Sequence, residues 1–329
     1  MEPRCLAYLT LLKEEGYCRS AREALAGGSR KFPHILAFDK SKAMAYRNAV
    51  VDRMSISGVQ TKMSLRLNRG ELELTDTDGE YILKPVPETQ FEHNEDIPAN
   101  EHLTMLIANR VFGIDAAVCG CIRFESGELA YITKRFDRRV GGKVQQEDFC
   151  QLSGRTPDTS GKDFKYEGSY EELGEILRRL CSAYIIEIEK LYKLVVFNYV
   201  FSNGDAHLKN FSLLQTLDKD YLLSPAYDLI CTKLHIPDEA RLALELFKNE
   251  EFETQSYTIN GFHTSECFLA LAEKYGMQKK RAQNILDLFP QKKADVLQLI
   301  DRSFLSDPAK ELYREYYLDR LRALSIKSA

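Results

Sequence analysis

The fold is decided by the stretch Asn203-Gly204-Asp205-Ala206-His207-Leu208-Lys209-Asn210-Phe211, which joins a long apolar helical pattern to a short strand pattern. Four residues separate Asp205 from Asn210. A carboxylate in such a loop can accept a proton from a hydroxyl nucleophile, and an amide oxygen five positions later can bind Mg²⁺. Taken alone, the spacing is equally typical of a polar turn in which both side chains bond to backbone groups.

A second carboxylate follows 18 residues after Asn210, at Asp228 within Pro225-Ala226-Tyr227-Asp228-Leu229. Magnesium prefers a few carboxylates together with phosphate oxygens and water. The order Asp, Asn, hairpin and Asp is that of the catalytic and metal-binding loops of protein kinases. By itself, Asp228 is also compatible with a helix N-cap.

Two charged residues upstream extend the pattern. Lys84 ends a predicted strand, and Glu101 lies on the predicted helix that follows. A lysine in this place can reach the phosphates of a nucleotide, and a helix glutamate can pair with it. Each residue alone fits a surface charge, but the ordered series favours a nucleotide site. The loop Met54–Lys62 lies where a phosphate loop is expected, although its single glycine makes it a weak motif.

Hydrophobic periodicity separates a strand-rich part from a helical part. We predict strands over 62–68, 71–75, 80–84, 117–124 and 128–134, and a helix over 99–111. Further helices are predicted over 170–181, 185–201, 267–275, 279–288, 293–304 and 309–324, with a strand pair at 211–215 and 221–223. The first 50 residues are predicted to be a helical lead-in, with an apolar helix face at Leu6, Leu9, Leu11 and Leu12 and a weaker helix near 40–51.

Composition excludes several classes of protein. The 329 residues carry a net charge of −4, which argues against nucleic-acid binding by phosphate neutralisation alone. No apolar run approaches the roughly 18 residues that a membrane span needs. The 8 cysteines form no C-x-x-C pair, which excludes a zinc ribbon or a thioredoxin motif. Without an export signal we expect reduced thiols, a cytoplasmic location and no membrane partner.

Together these motifs resemble the HipA family of bacterial toxin serine/threonine kinases. The matching segments follow the family's order: Ser55–Lys62, Tyr81–Pro85, Asn100-Glu101, Arg135–Arg138, Gln146–Gln151, Asn203–Ser212 and Ser224–Leu229. The resemblance implies an α+β, bilobal protein-kinase-like fold with a small β-rich N-lobe and a larger, mainly helical C-lobe. The expected division is a lead-in at 1–54, an N-lobe at 55–135 and a C-lobe with the catalytic and metal-binding loops at 136–329.

The resemblance also implies a role for each matching residue, with ATP and Mg²⁺ as cofactors. Asp205 is expected to be the catalytic base, while Asn210 and Asp228 are expected to bind magnesium. Glu101 is expected to form the supporting ion pair. The expected ATP-binding residues are Ser57, Gly58, Val59, Gln60, Lys84, Lys134, Phe136, Gln151 and His207. The expected autophosphorylation sites are Ser55 and Ser57, in a loop whose phosphorylation inactivates members of the family.

Only 54 residues precede Ser55, fewer than in full-length HipA toxins. The chain is therefore expected to be closest to the short HipT type of tripartite HipBST toxin–antitoxin systems. The expected partners are a HipS-like small protein, which replaces the absent N-terminal subdomain, and a HipB-like antitoxin that makes most of the DNA contacts. The expected substrate is a serine of an aminoacyl-tRNA synthetase, whose phosphorylation inhibits translation and growth.

Two other functions stay open. The Asn203-Gly204-Asp205 loop followed by Asn210 also resembles the loop of antibiotic phosphotransferases, which would make the chain a small-molecule kinase. A non-catalytic nucleotide-binding co-repressor is the other alternative. The complete set of Lys84, Asp205, Asn210 and Asp228 argues against it.

Overall fold

A computed structural model provides the coordinates of the chain. It describes residues 2–28, 31–51, 61–139, 142–249 and 252–326. Seven residues of the predicted phosphate loop, 54–60, lie outside the described residues, among them the predicted site residues Ser55, Ser57, Gly58, Val59 and Gln60. Among the described residues, no helix is both long and apolar enough to cross a membrane.

A five-stranded antiparallel sheet forms the first half of the molecule. Its strands are β1 (Met63–Asn68), β2 (Glu71–Leu74), β3 (Tyr81–Pro85), β4 (Cys119–Arg123) and β5 (Leu129–Lys134), in the spatial order β2-β1-β3-β5-β4. Met63 and Leu65 are buried while Arg66 is exposed, so β1 turns one apolar face to the core. In this register Leu65 pairs with Leu74 on one side and with Tyr81 on the other. The predicted strands are confirmed.

The N-terminal segment departs from the prediction. Arg4 pairs with Leu11 and Cys5 pairs with Gly16 in isolated bridges, so the predicted helix face over Leu6–Leu12 is wrong. The backbone of this segment bonds to the sheet instead, because Cys121 N donates to Leu6 O at 2.7 Å. Such bonds replace the ones a helix would form within itself. The helices here are α1 (Arg19–Leu25) and α2 (Lys40–Val51), and α2 confirms the weaker helix.

Helix α3 (Ile97–Arg110) packs against β4 and β5 and confirms the predicted helix at 99–111. Pro98 lies in its first turn, where proline's fixed φ suits a helix start. Leu103 and Ile107 of α3 join the core of the helical half, whereas Cys5 and Leu6 share the core of the sheet. Cys5 and Leu6 of the predicted lead-in therefore pack against the strands of the sheet. The division of the chain into three parts stays a prediction.

The second half is mainly helical, as predicted. Its short strands are β6 (Arg138–Arg139), β7 (Gly142–Lys143), β8 (Gln146–Asp148), β9 (Ser212–Gln215) and β10 (Tyr221–Leu223). Its helices are α4 (Phe149–Leu152), α5 (Pro157–Ser160), α6 (Tyr170–Leu180), α7 (Tyr184–Val200), α8 (Gln255–Asn260), α9 (Ser265–Lys274), α10 (Lys279–Gln291), α11 (Lys293–Arg302) and α12 (Asp307–Leu324). Strands β9 and β10 form the predicted hairpin, and α7 leads directly into the loop that contains Asp205.

Candidate active site

A buried ammonium group joins the two halves of the molecule. Lys84 lies near the end of β3, and its Nζ is 2.5 Å from Glu101 Oε1 on α3 and 2.6 Å from Asp228 Oδ1. Lys84 is 2% exposed and Glu101 is 1% exposed. The second oxygen of Asp228 lies 3.3 Å from the Nζ of Lys62, just before β1. Two cations from the sheet therefore converge on one carboxylate of the helical half.

These contacts shift the pKa of each group. Burial alone would raise the pKa of Asp228, but the ammonium groups of Lys84 and Lys62 hold it well below its ordinary value. Burial alone would lower the pKa of Lys84, and the carboxylates of Asp228 and Glu101 raise it instead. The pKa of Glu101 is raised, because burial outweighs the attraction of Lys84. Asp228 is consequently an ionised carboxylate at neutral pH.

The loop around Asp228 is attached to the sheet half by backbone bonds. Ala117 N donates to Ala226 O at 2.9 Å, and Ala226 N donates to Asp115 O at 2.8 Å. Buried Asn100 of α3 donates to Cys231 O and accepts from Cys231 N. Asp228 itself has a φ of +54°, a left-handed conformation that Asp tolerates better than most residues. The loop is therefore held on both sides of a residue with an uncommon backbone conformation.

Asn203, just after α7, connects the loop of Asp205 to the loop of Asp228. Its side-chain Oδ1 accepts from Asp205 N at 3.3 Å, while its Nδ2 donates to Asn198 Oδ1 at 2.8 Å and lies 3.5 Å from Asp228 O. Tyr227 makes a second connection, because its hydroxyl donates to Lys209 O at 2.8 Å. These bonds connect the loop that contains Asp205 and Asn210 to the loop that contains Asp228.

Asp205 is half exposed, with 49% of its side chain open to solvent. Its Oδ1 accepts a hydrogen bond from the hydroxyl of Tyr166 at 2.5 Å and lies 3.8 Å from His207 Nε2. Burial lowers the pKa of His207 to about 4, so the imidazole is neutral at pH 7. Asn210 accepts from His207 N through its Oδ1 at 3.1 Å, which fixes the amide within the loop.

Asn210 and Asp228 supply the hard oxygen donors that Mg²⁺ prefers. Described residues include no group of three or more His, Cys, Asp or Glu side chains arranged to hold a metal. A magnesium site in a kinase does not require such a group, because phosphate oxygens and water complete the coordination. Lys62 and Lys84 both contact Asp228 and would supply positive charge to phosphate groups bound there. The residues present therefore fit MgATP.

Of the other predicted ATP-binding residues that the structure describes, Phe136 lies beside the loop of Asp228. The ring of Phe136 is 5.7 Å from the ring of Tyr227. Lys134 donates from its backbone N to Val118 O at 2.8 Å, and burial lowers the pKa of its side chain. Gln151 is exposed and forms a capping box with Asp148 at the start of α4. The roles of these residues in nucleotide binding stay predictions.

Sequence reasoning gave no role to Lys62, Asn203, Tyr166 or Glu239. Gly204 lies against Glu239, and a Cβ on this glycine would be 2.6 Å from both Glu239 Cδ and Ala240 O. Burial raises the pKa of Glu239 to about 7, and its carboxylate accepts from the hydroxyl of Thr232 at 2.6 Å.

Asn203 and Lys62 stand inside the sequence motifs described above, and those motifs are a signal that could have found them. Tyr166 and Glu239 stand outside every motif.

Known proteins resemble this chain in sequence. A Haemophilus influenzae protein named as a kinase is 26% identical and matches 92% of this chain and 94% of its own length. The Sinorhizobium fredii protein Y4dM, also named as a kinase, is 33% identical over 62% of this chain. The serine/threonine-protein kinase toxin HipA of Shewanella oneidensis is 28% identical over 62% of this chain. The chain spans about half the length of the last two relatives, 51% and 48%.

Solved structures confirm the predicted fold class. HipA of Shewanella oneidensis, solved with HipB and operator DNA, has a TM-score of 0.63 at 22% identity, covering 82% of this chain and 65% of that one. The Helicobacter pylori proinflammatory kinase CtkA has a TM-score of 0.53 at 14% identity, covering 79% of this chain and 93% of that one. The family described as HipA-like C-terminal domain matches residues 54–296, about three quarters of the sequence. With most of its length inside that match, the chain belongs to the HipA-like C-terminal domain family.

Proposed function

We propose that this chain is an ATP- and Mg²⁺-dependent kinase that phosphorylates a protein serine. The observation that carries the proposal is the buried Lys84 ammonium between Glu101 and Asp228. Active protein kinases need a strand lysine paired with a helix glutamate, together with an aspartate that binds magnesium after the catalytic loop. Relatives that are named as kinases support the same activity.

The proposed roles follow from the contacts of each side chain. Lys84 and Lys62 bind phosphate oxygens, and Asn210 and Asp228 hold magnesium. When bound, ATP supplies the transferable phosphoryl group and Mg²⁺ neutralises its charge. Asp205 orients the acceptor hydroxyl and takes its proton as the acceptor oxygen bonds to the γ-phosphorus and the bond to ADP breaks.

The finer proposal is a toxin of the HipT type. The Ser55-Ile56-Ser57 pattern supports this subtype and supports autophosphorylation at Ser55 or Ser57. The proposed partners are a HipS-like small protein and a HipB-like antitoxin, and the proposed substrate is an aminoacyl-tRNA synthetase. A HipA relative solved with HipB and operator DNA supports the second partner. The proposed location is the cytoplasm.

Phosphate transfer by wild-type protein and by Asp205→Asn tests this function. With labelled ATP and Mg²⁺, we expect incorporation into the chain and into lysate proteins to fall by about 10²- to 10⁴-fold in the variant. Asp218→Asn, in the turn between β9 and β10, is a control that should behave as wild type. Phosphopeptide mapping of the segment that contains Ser55 and Ser57 tests autophosphorylation.

Three results would contradict the proposal. Equal incorporation by wild type and Asp205→Asn would remove Asp205 from the chemistry. A phosphorylated aminoglycoside without any phosphoprotein would indicate a small-molecule kinase. Tight ATP binding without turnover would indicate a nucleotide-binding co-repressor.

A further inference from the structure

The irregular segment at 161–168, between α5 and α6, lies along the candidate catalytic loop. Leu208 N donates to Lys165 O at 3.1 Å. The hydroxyl of Tyr170, at the start of α6, donates to Ala206 O at 2.9 Å. These bonds attach the segment to the loop on the C-terminal side of Asp205. A side chain from this segment therefore reaches the carboxylate from a fixed backbone.

That side chain is Tyr166. Its hydroxyl donates to Asp205 Oδ1 at 2.5 Å, and its ring packs edge-on against His207 with centroids 5.1 Å apart. The Nζ of Lys165 lies 4.7 Å from the centre of the same ring. The next contact of the Asp205 carboxylate, with His207 Nε2, is much longer at 3.8 Å. Since half of the Asp205 side chain is open to solvent, the tyrosine is its main restraint among the described side chains.

We infer that Tyr166 is a positioning residue that orients the Asp205 carboxylate for phosphoryl transfer, an inference that rests on the kinase function proposed above. A hydrogen bond to a charged acceptor is short and directional, so it limits the rotation of the carboxylate. With Oδ1 engaged by the phenol, Oδ2 is the oxygen that takes the proton of the acceptor hydroxyl. In this role Tyr166 acts only through Asp205.

The phenol is suited to a donor role. Burial, together with the neighbouring negative charge of Asp205, raises the pKa of Tyr166 well above its ordinary value. The hydroxyl therefore keeps its proton throughout the neutral pH range and does not compete with Asp205 as a base. The attachment of Lys165 to Leu208 keeps the donor in place. The segment is accordingly part of the site's scaffold.

Tyr166→Phe tests the inference because it removes one oxygen and keeps the ring on His207. The assay is ADP release from ATP in the presence of Mg²⁺, with kcat and the KM for ATP measured separately. We expect kcat to fall by about 10- to 100-fold, while the KM for ATP and the Tm stay at wild-type values. A matched control is Tyr221→Phe on β10, which also removes a hydroxyl that donates to a carboxylate, that of Glu147 at 2.9 Å. The control should leave kcat unchanged.

A double-mutant cycle separates positioning from a general structural effect. If Tyr166 acts through Asp205, adding Tyr166→Phe to Asp205→Asn should cause no further loss. Multiplicative losses would overturn the inference, as would a Tyr166→Phe kcat equal to or above that of wild type. A higher kcat would mean that the tyrosine blocks the acceptor position. If the wild-type protein neither releases ADP nor incorporates phosphate, the proposed function and the inference are both overturned. If the wild type is active and Tyr166→Phe has the same kcat, the inference alone is overturned.

Discussion

Replacing Lys84 by methionine tests how the charged centre is stabilised. Methionine keeps most of the length of the side chain but removes the ammonium group that lies 2.5 Å from Glu101 and 2.6 Å from Asp228. Asp228 retains Lys62 as a partner at 3.3 Å. Glu101, whose side chain is 2% exposed, loses the ammonium that accompanies it in the wild type.

The structure sets an upper limit on the unfolding free energy that Lys84→Met loses. A buried carboxylate without a counter-charge is so unfavourable that the group takes up a proton instead. Starting from an ordinary pKa of 4.5, protonation of Glu101 at pH 7 costs about 1.36 × 2.5, or about 3.4 kcal/mol. Burial already raises the pKa of Glu101 in the wild type, so part of this cost is present before the substitution. We therefore expect Lys84→Met to lose about 2 to 3 kcal/mol of unfolding free energy at pH 7.

The loss should depend on pH in a defined direction. A carboxyl whose folded pKa lies above its unfolded pKa destabilises the fold at high pH, and this effect disappears as the pH falls to the unfolded value. The upper limit for Glu101 accordingly falls to about 1.4 kcal/mol at pH 5.5. The double variant Lys84→Met/Glu101→Gln has no carboxylate at position 101 to neutralise, and Asp228 keeps Lys62 as its partner. Its unfolding free energy should return to within about 1 kcal/mol of wild type at both pH values.

Urea unfolding followed by circular dichroism at pH 7 and pH 5.5 measures these differences, and it suits a chain that has no tryptophan. A loss that is equal at both pH values would refute the reasoning, because it would indicate disturbed packing in place of an uncompensated charge. A double variant as unstable as Lys84→Met would refute it as well.

Two further predictions concern residues around the site. Gly204→Ala should reduce the unfolding free energy by about 1 to 3 kcal/mol and reduce ADP release, because its Cβ would lie 2.6 Å from Ala240 O and Glu239 Cδ; unchanged stability and turnover would contradict the packing. Burial lowers the pKa of His102 to about 4 from 6.5, so wild-type stability should fall as the pH drops from 6.5 to 4, by up to about 3.4 kcal/mol from this group. In His102→Gln, the unfolding free energy measured by urea titration should fall less steeply between pH 6.5 and 4 than in the wild type. An identical fall in the two proteins would contradict a contribution from His102.

Strands β1 and β2 could be predicted from the sequence because each buries mainly one face. Alternation in β1 and β2, and turns at Asn68-Arg69-Gly70 and Ser126-Gly127, are local features that need no knowledge of distant contacts. The N-terminal segment could not be predicted in the same way. Its leucines have a spacing compatible with a helix, but Leu6 O bonds to Cys121 N of β4, more than a hundred residues away. Such a tertiary hydrogen bond leaves no periodic trace in the sequence.

The same distinction explains which site residues could be predicted. The charged residues Lys84, Glu101 and Asp228 stand in an ordered series, and the structure places them in direct contact. The residues that orient their neighbours have no such order. Tyr166 stands 39 residues before Asp205 in an irregular segment, with no spacing that connects the two.

An oriented carboxylate needs a donor of the right length on a fixed backbone, and many positions of the chain can supply one. The charges that a nucleotide requires are therefore recognisable in the sequence, because only a few residue types in a fixed order can meet that requirement. The neutral donor that holds the Asp205 carboxylate, Tyr166 beside the loop, becomes recognisable only when the distances are known. Under the proposed kinase function, phosphoryl transfer should depend on that donor, since an exposed and unrestrained Asp205 would be a poor base.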